Sequence, residues 1–283
     1  MNSWHSKTFV MLVIILIVSR AALSDGRPVT SIEVQPERSP LRPVSPELTG
    51  AYILSEVLAH NRLRDTELAG YSTLRTYQVM SDRGKVYASE VVRMRYHAPD
   101  HLHFFITSAH GSRLVRDLVL KRLIESEVKA SAGKARRNTS LRPANYSFQL
   151  LGEQNVGAYN CYVVQATPKR ADKHLFKGKI WIDTEGYGVV RISGQPAGKL
   201  SFWIESAHFV RQYQEIGGFW LPWKDESTVH VRFAGTKILT IVHRQYIVNG
   251  RAASSFHAIG PTTSKHESSQ SQWPANAAMR TAP

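Results

Sequence analysis

The second half of the chain consists of long segments in which apolar and polar residues alternate. Alternation with a period of two predicts strands that bury one face, and short turns that contain glycine separate the segments. Successive long strands predict a wide antiparallel sheet, which curls because sheets twist. The predicted strands are Tyr159–Thr167, Phe176–Ile182, Gly188–Ser193, Lys199–Tyr213, Trp220–Phe233 and Thr236–Val248.

Two earlier segments have the helical spacing of apolar residues instead. The first begins after Ser45, a predicted N-cap, with Pro46 at the first helical position. The second runs from about Ser112 to Ala132. Because both helices are amphipathic, we expect them to cover one face of the sheet. Their apolar positions are Ala51, Leu54, Val57 and Leu58, then Leu114, Leu118, Leu123 and Val128.

The chain begins with the features of an export signal. Lys7 precedes the apolar run Phe9–Val18, which at about ten residues is too short to cross a bilayer as a helix. Ala22-Leu23-Ser24 fits a signal-peptidase site, so residues 1–24 are predicted to be removed near Ser24. An uncleaved membrane anchor is the alternative.

Three parts follow the predicted signal. Residues 25–45 are rich in proline and indicate a linker, 46–250 form one domain, and 251–283 have the composition of a disordered tail. The formal net charge of the whole chain is +14. Such a charge favours transient contact with anionic membrane surfaces, whereas export argues against nucleic acid as a partner.

No arrangement of residues in the sequence predicts catalysis. Motifs for a serine nucleophile, a zinc protease, a phosphate-binding loop and a redox cysteine pair are absent, so no catalytic residue or cofactor is predicted. His101 and His103 share a strand face with His97 nearby, but we expect that face to meet solvent and predict no metal site. The single cysteine, Cys161, is expected to be buried without a disulfide.

Two short motifs carry a family resemblance. A strand that reads G-x-I-W-I-D, at 178–183, is followed by a hairpin strand that reads V-R-I-x-G, at 190–194. Together with the two helices and the paired strands around Pro99, these motifs resemble the LolA-type outer-membrane lipoprotein-sorting superfamily over about residues 46–250. One position departs from the pattern: Ala98 stands before Pro99, where such carriers often place an arginine that helps to hold the helices closed.

The pattern and the resemblance predict the same fold class. It is mainly β (α+β), an open antiparallel β-barrel, or half-barrel, covered by two amphipathic helices that act as a lid. We expect an apolar and partly unfilled interior, which suits an acyl chain. The candidate ligand-binding residues are Val92, Met94, Tyr96, Leu102, Phe104, Ile106, Leu200, Phe202 and Ile204.

The resemblance implies an exported carrier rather than an enzyme. Such a carrier would bind lipid or lipoprotein acyl chains in the periplasm of a Gram-negative-type bacterium and exchange them with inner- and outer-membrane delivery partners. The alternative is an envelope sensor or scaffold that uses the same fold to bind a protein partner.

Overall fold

The computed structural model describes residues 39–99, 101–130 and 140–252. The predicted signal segment 1–24 lies outside these residues, as do residues 25–38 of the predicted linker and 253–283 of the predicted tail. Within the described ranges, no helix combines the length and the apolar composition that a membrane span requires.

One antiparallel sheet of eleven strands makes up most of the described structure. Its strand order is β3-β2-β1-β10-β9-β8-β7-β6-β5-β4, with β11 paired to β10. The end strands β3 and β4 do not pair with each other, so the sheet is open and the predicted fold class is confirmed. The strands are β1 Gly70–Ser81, β2 Val86–His97, β3 His101–Gly111, β4 Tyr146–Val156, β5 Tyr159–Pro168, β6 Phe176–Asp183, β7 Val189–Pro196, β8 Ile204–Ile216, β9 Phe219–Val231, β10 Gly235–Val248 and β11 Arg251–Ala252.

The first helix, α1 (Gly50–Glu67), begins later than the sequence predicted. Its N-cap is Thr49, whose Oγ1 accepts a hydrogen bond of 3.1 Å from the backbone N–H of Tyr52. The predicted cap, Ser45, lies in a preceding turn, where its carbonyl accepts from the N–H of Leu48. Because the helix starts at Gly50, its buried side is centred on Ile53, Leu54 and Val57, and Ala51 is exposed.

The second helix is interrupted by a π-helical turn. It consists of α2 (Arg113–Val115), the π turn (Arg116–Leu120) and α3 (Lys121–Ala130), and we call this whole segment the broken helix. A π turn holds more residues than an α turn, so it shifts the side that faces the sheet. The buried residues are therefore Val119, Leu120, Leu123 and Ile124, while the predicted Leu114 is 49% exposed.

Both helices pack on the same face of the sheet, here called the helix-covered face. The strand register identifies it, because directly opposed residues point the same way. One row of such neighbours runs Val164, Ile180, Ile192, Arg211, Asp225, Ile241, Tyr77. Its first part belongs to the apolar cluster of α1, and its last part to the separate cluster of the broken helix.

The capping contact of α1 gives a direct test of where the helix begins. Thr49→Ala removes the acceptor for the N–H of Tyr52 and should lower the free energy of unfolding by about 1 kcal/mol. Ser45→Ala is the matched control and should leave it unchanged, since only the Ser45 backbone is engaged. Urea unfolding of both variants measures the difference, and a larger loss for Ser45→Ala would contradict the observed start.

Candidate functional site

Six of the predicted ligand-binding residues lie together on β2 and β3. Val92, Met94, Tyr96 and Leu102 are buried in the cluster of the broken helix. Two residues of β3 are less well covered by the broken helix: Phe104 is only partly buried, and Ile106 is 45% exposed. These six residues form a strip on the helix-covered face, which we call the apolar strip. Its central part is packed against helix side chains.

The other three predicted residues are not part of this site. Leu200 and Phe202 precede β8, which begins at Ile204 rather than at Lys199. The prediction that Phe202 faces the interior is wrong, since its side chain is 69% exposed. Leu200 and Ile204 pack partly buried against a third, small cluster.

A serine turn explains this correction. The hydroxyl of Ser201 accepts from the N–H of Trp203 at 3.2 Å, and its carbonyl accepts from the N–H of Ile204 at 3.3 Å. The side chain thus supplies the backbone bond that a strand would take from its neighbour. Apolar alternation through this segment resembles a strand, but the turn breaks the pleat.

The interior is not the apolar, partly unfilled space that the sequence predicted. Buried charged side chains cross it between the two helix clusters. Arg75 Nη1 lies 2.7 Å from Glu127 Oε1, Arg211 pairs with Asp225, and His243 Nε2 lies 3.0 Å from Asp225 Oδ2. We call these five residues the charged belt. Strand alternation places the four strand residues on the helix-covered face, at positions where the sequence pattern expects apolar residues, and Glu127 reaches them from the broken helix.

The protonation states follow from the contacts within the belt. Burial would raise the pKa of Glu127, but the ion pair with Arg75 outweighs it and lowers that pKa. Burial also opposes ionisation of Asp225, yet Arg211 and the His243 hydrogen bond hold its pKa well below the ordinary range. Burial lowers the pKa of His243 to about 4, with repulsion from Arg75 adding to it. At neutral pH the imidazole is therefore neutral and donates to Asp225.

Glu90 is a third buried carboxylate on the same face. It lies opposite Tyr77 and is 3% exposed, and within the described part of the chain its Oε2 has no hydrogen-bond partner. Burial raises its pKa, against the attraction of Arg116 in the π turn. An unsatisfied carboxylate under a helix opposes the closed arrangement, because exposure to water would relieve its desolvation. The sequence signal was visible, since Glu90 interrupts the apolar alternation of β2.

A cleft of about 620 Å³ lies on the opposite face, away from the predicted residues. The cations Lys177, Lys179, Arg191 and Lys224 line it, together with Trp181. Sequence reasoning did not identify this cleft, because its members come from different strands and meet only through the register.

The single cysteine and the three histidines near Pro99 were considered in the sequence as possible reactive or metal-binding residues. Cys161 is buried, as predicted. His97, His101 and His103 are exposed at one edge of the sheet, where His97 and His101 are directly opposed. Among the described residues, no group of three or more His, Cys, Asp or Glu side chains could hold a metal ion.

The state of His243 predicts a pH dependence of stability. The unfolded imidazole has a pKa near 6.5, whereas the folded one has a pKa of about 4. Between these values His243 is protonated in the unfolded chain but not in the folded one. The free energy of unfolding is therefore highest above pH 6.5 and falls towards pH 4. The loss is on the order of 3 kcal/mol. Urea unfolding across this range should show a slope that His243→Gln flattens and that exposed His230→Gln retains.

The split between buried and exposed predicted residues has a mutational consequence. Met94→Ala should cost roughly 2–5 kcal/mol, because the side chain is buried beneath the broken helix. Phe202→Ala should cost less than about 1 kcal/mol, because that ring is mostly in solvent. Equal losses in chemical denaturation would place Phe202 in the core and contradict this arrangement.

Similarity to known proteins is found among solved structures rather than among sequences. No protein-family model matches the sequence, and no curated protein matches it. Among solved structures, the chain is similar to a Vibrio parahaemolyticus domain described as an outer membrane lipoprotein-sorting protein domain, at 12% identity and a TM-score of 0.44, over 71% of this chain and 92% of that one.

Two more distant structures have lower TM-scores. A LolA superfamily protein from Nitrosomonas europaea is 11% identical with a TM-score of 0.34, over 70% of this chain and 93% of that one. The Pseudomonas aeruginosa MucA/MucB complex matches at 9% identity with a TM-score of 0.26, over 74% of this chain and 99% of that one. The open antiparallel sheet with helices on one face is the architecture that the sequence predicted.

Proposed function

We propose that the protein shelters acyl chains of lipids or lipoproteins on the apolar strip, beneath the broken helix, and acts by binding rather than by catalysis. The observation that carries the proposal is that the broken helix packs over this strip. Val92, Met94 and Leu102 are buried by the apolar side of a single helix. If that helix moves, a continuous apolar surface becomes available on the sheet.

An acyl chain would replace the helix side chains on this surface. Burial of each methylene contributes about 0.8 kcal/mol, so a long chain compensates for the lost contacts of Leu120, Leu123 and Ile124. The partial exposure of Phe104 and Ile106 supports a path to the strip, because the apolar surface of β3 already continues past the helix into solvent.

Two buried carboxylates act in opposite directions on the cover. The ion pair of Glu127 with Arg75 attaches the broken helix to β1, and we propose that it is the latch. Glu90, without a partner for its Oε2, favours opening instead. In the related carriers an arginine before the proline of the second strand region helps to close the lid. We infer that Arg75 takes that role here, where Ala98 occupies the usual position.

The periplasm is the compartment that we propose for this activity, with exchange partners at the inner and outer membranes. Support comes from the export signal that the sequence predicts. A carrier in this compartment needs an apolar site that closes during transit. The apolar strip would meet this need when the Glu127–Arg75 ion pair holds the broken helix over it.

Glu127→Gln tests the latch. Binding requires the open state, so the apparent affinity for an acyl ligand is reduced by the fraction of protein that is closed. Weakening the ion pair should raise the open fraction and tighten binding of a fluorescent fatty acid or a synthetic triacylated peptide, by up to about tenfold for each 1.4 kcal/mol. Titration of the delipidated protein measures the change.

Asp117→Asn is the matched control. Asp117 lies on the same broken helix, but its ion pair with Arg113 is exposed, so the acyl-ligand affinity should not change. Circular dichroism confirms that each variant is folded. Absence of saturable acyl binding by the folded wild-type protein would reject the carrier function, and weaker binding by folded Glu127→Gln would reject the latch.

A second function, binding of a protein partner as a sensor or scaffold, is favoured by the edge strand β3. This strand ends the sheet and exposes 57% of Phe105, and an extended peptide can add to such an edge. Mass spectrometry of natively purified protein separates the two functions, because co-purified lipid supports the carrier and a stoichiometric peptide supports the scaffold.

A further inference from the structure

Three large aromatic side chains project into solvent from one end of the sheet. Phe202 is 69% exposed, Trp203 50% and Phe233 92%. The first two lie in the loop before β8, and Phe233 lies in the turn between β9 and β10. We call these three residues the aromatic tip. They are not members of the two helix clusters, and the small third cluster of Ala207, Val229 and Val231 lies on the adjoining strands β8 and β9.

Specific contacts hold the aromatic tip together. The N–H of Arg232 donates to the carbonyl of Trp203 at 2.8 Å and joins the loop to the turn. The guanidinium of Arg232 lies 4.5 Å from the centre of the Phe202 ring, which contacts Trp203 edge-on at 5.4 Å. The Arg232 guanidinium and the rings of Phe202 and Trp203 are therefore in mutual contact and form one ordered surface.

Phe233 occupies its turn at a conformational cost. Its φ is +63°, in the left-handed region, which is unfavourable for a bulky side chain. Glycine would suit this turn, and an aromatic ring that is almost fully in water adds nothing to the core. Strain and exposure at the same residue point to a role outside the folded chain.

Cationic side chains lie at the same end of the sheet as the aromatic tip. The register places the β1–β2 turn, the β5–β6 loop, the β7–β8 loop and the β9–β10 turn at the same end of the sheet. These segments carry Arg83, Lys85, Lys173, Lys199 and Arg232.

Two of the three carboxylates in or beside these segments form ion pairs, and the third, Asp82, lies in the β1–β2 turn. Asp172 pairs with Arg170, and Glu205 pairs with Arg232 and His230. The charge at this end is thus predominantly positive.

We propose that the aromatic tip inserts into the headgroup region of an anionic bilayer. Tryptophan and phenylalanine place apolar rings at the membrane interface, and surrounding Lys and Arg side chains attract anionic lipid. Exposed aromatic side chains together with cationic side chains at the same end of the sheet fit such a surface. The net charge alone predicted only non-specific approach, whereas the tip identifies the residues that enter the bilayer. The proposal does not depend on acyl binding, because the tip lies outside the apolar strip.

Vesicle sedimentation tests the insertion. The exported protein should bind vesicles of phosphatidylethanolamine with phosphatidylglycerol at 3:1 more tightly than phosphatidylcholine vesicles, and less tightly in 0.5 M NaCl. The triple variant Phe202→Ser, Trp203→Ser, Phe233→Ser should lose at least tenfold in apparent affinity. Phe105→Ser is the control, since that exposed ring lies on edge strand β3 and its loss should change the affinity less than twofold.

Tryptophan quenching gives a second measurement that does not need the triple variant. Lipids brominated near the headgroup should quench wild-type fluorescence, and Trp203→Phe should remove most of that quenching. The proposal is overturned if the wild type does not sediment with anionic vesicles, if the folded triple variant binds as tightly as the wild type, or if Trp203→Phe is quenched equally. Failure of vesicle binding would assign the tip to a protein partner instead.

Discussion

The buried charged belt is the interaction on which the helix-covered face depends. Glu127 comes from the broken helix, whereas Arg75, Arg211, Asp225 and His243 come from four strands of the sheet. A buried charge that loses its partner costs several kcal/mol, so the helix is restricted to positions that keep Glu127 paired with Arg75. Apolar contacts alone would allow the helix to slide, because they lack direction. The belt therefore determines where the helix sits more than how strongly it is held.

The belt also gives the two halves of this face different properties. α1 packs against β4 and β5 and is tied at its far end by Arg64, which donates to the carbonyl of Gly186 at 2.8 Å. The broken helix instead combines apolar packing with one buried ion pair, and it covers the unsatisfied Glu90. A π turn within a helix is itself a less regular arrangement, often found where a helix serves a function. We therefore assign the proposed movement to the half that the broken helix covers.

Sequence reasoning recovered what depends on local periodicity. The alternation around Met94 and Leu102 correctly placed both side chains on the covered face, because a strand repeats every two residues. It failed at Phe202, where the Ser201 turn supplies non-periodic hydrogen bonds. It also could not find the belt, since ion pairing between distant strands appears only once the register is known. Charged residues at apolar strand positions, such as Arg75, were the local sign of that network.

The attachment of the broken helix at its first residues has a mechanical consequence. The N–H of Ser112 donates to the Tyr87 carbonyl at 2.8 Å, and Gly111, at a φ of +80°, allows the backbone to approach β2 closely. From there to Glu127 the helix forms an arm of about 22 Å, so a rotation of roughly 15° at Ser112 would carry the carboxylate about 6 Å from Arg75. The segment thus works as a lever with its pivot at the cationic end of the sheet, and a small angular change at the pivot becomes a wide gap over the middle of the sheet.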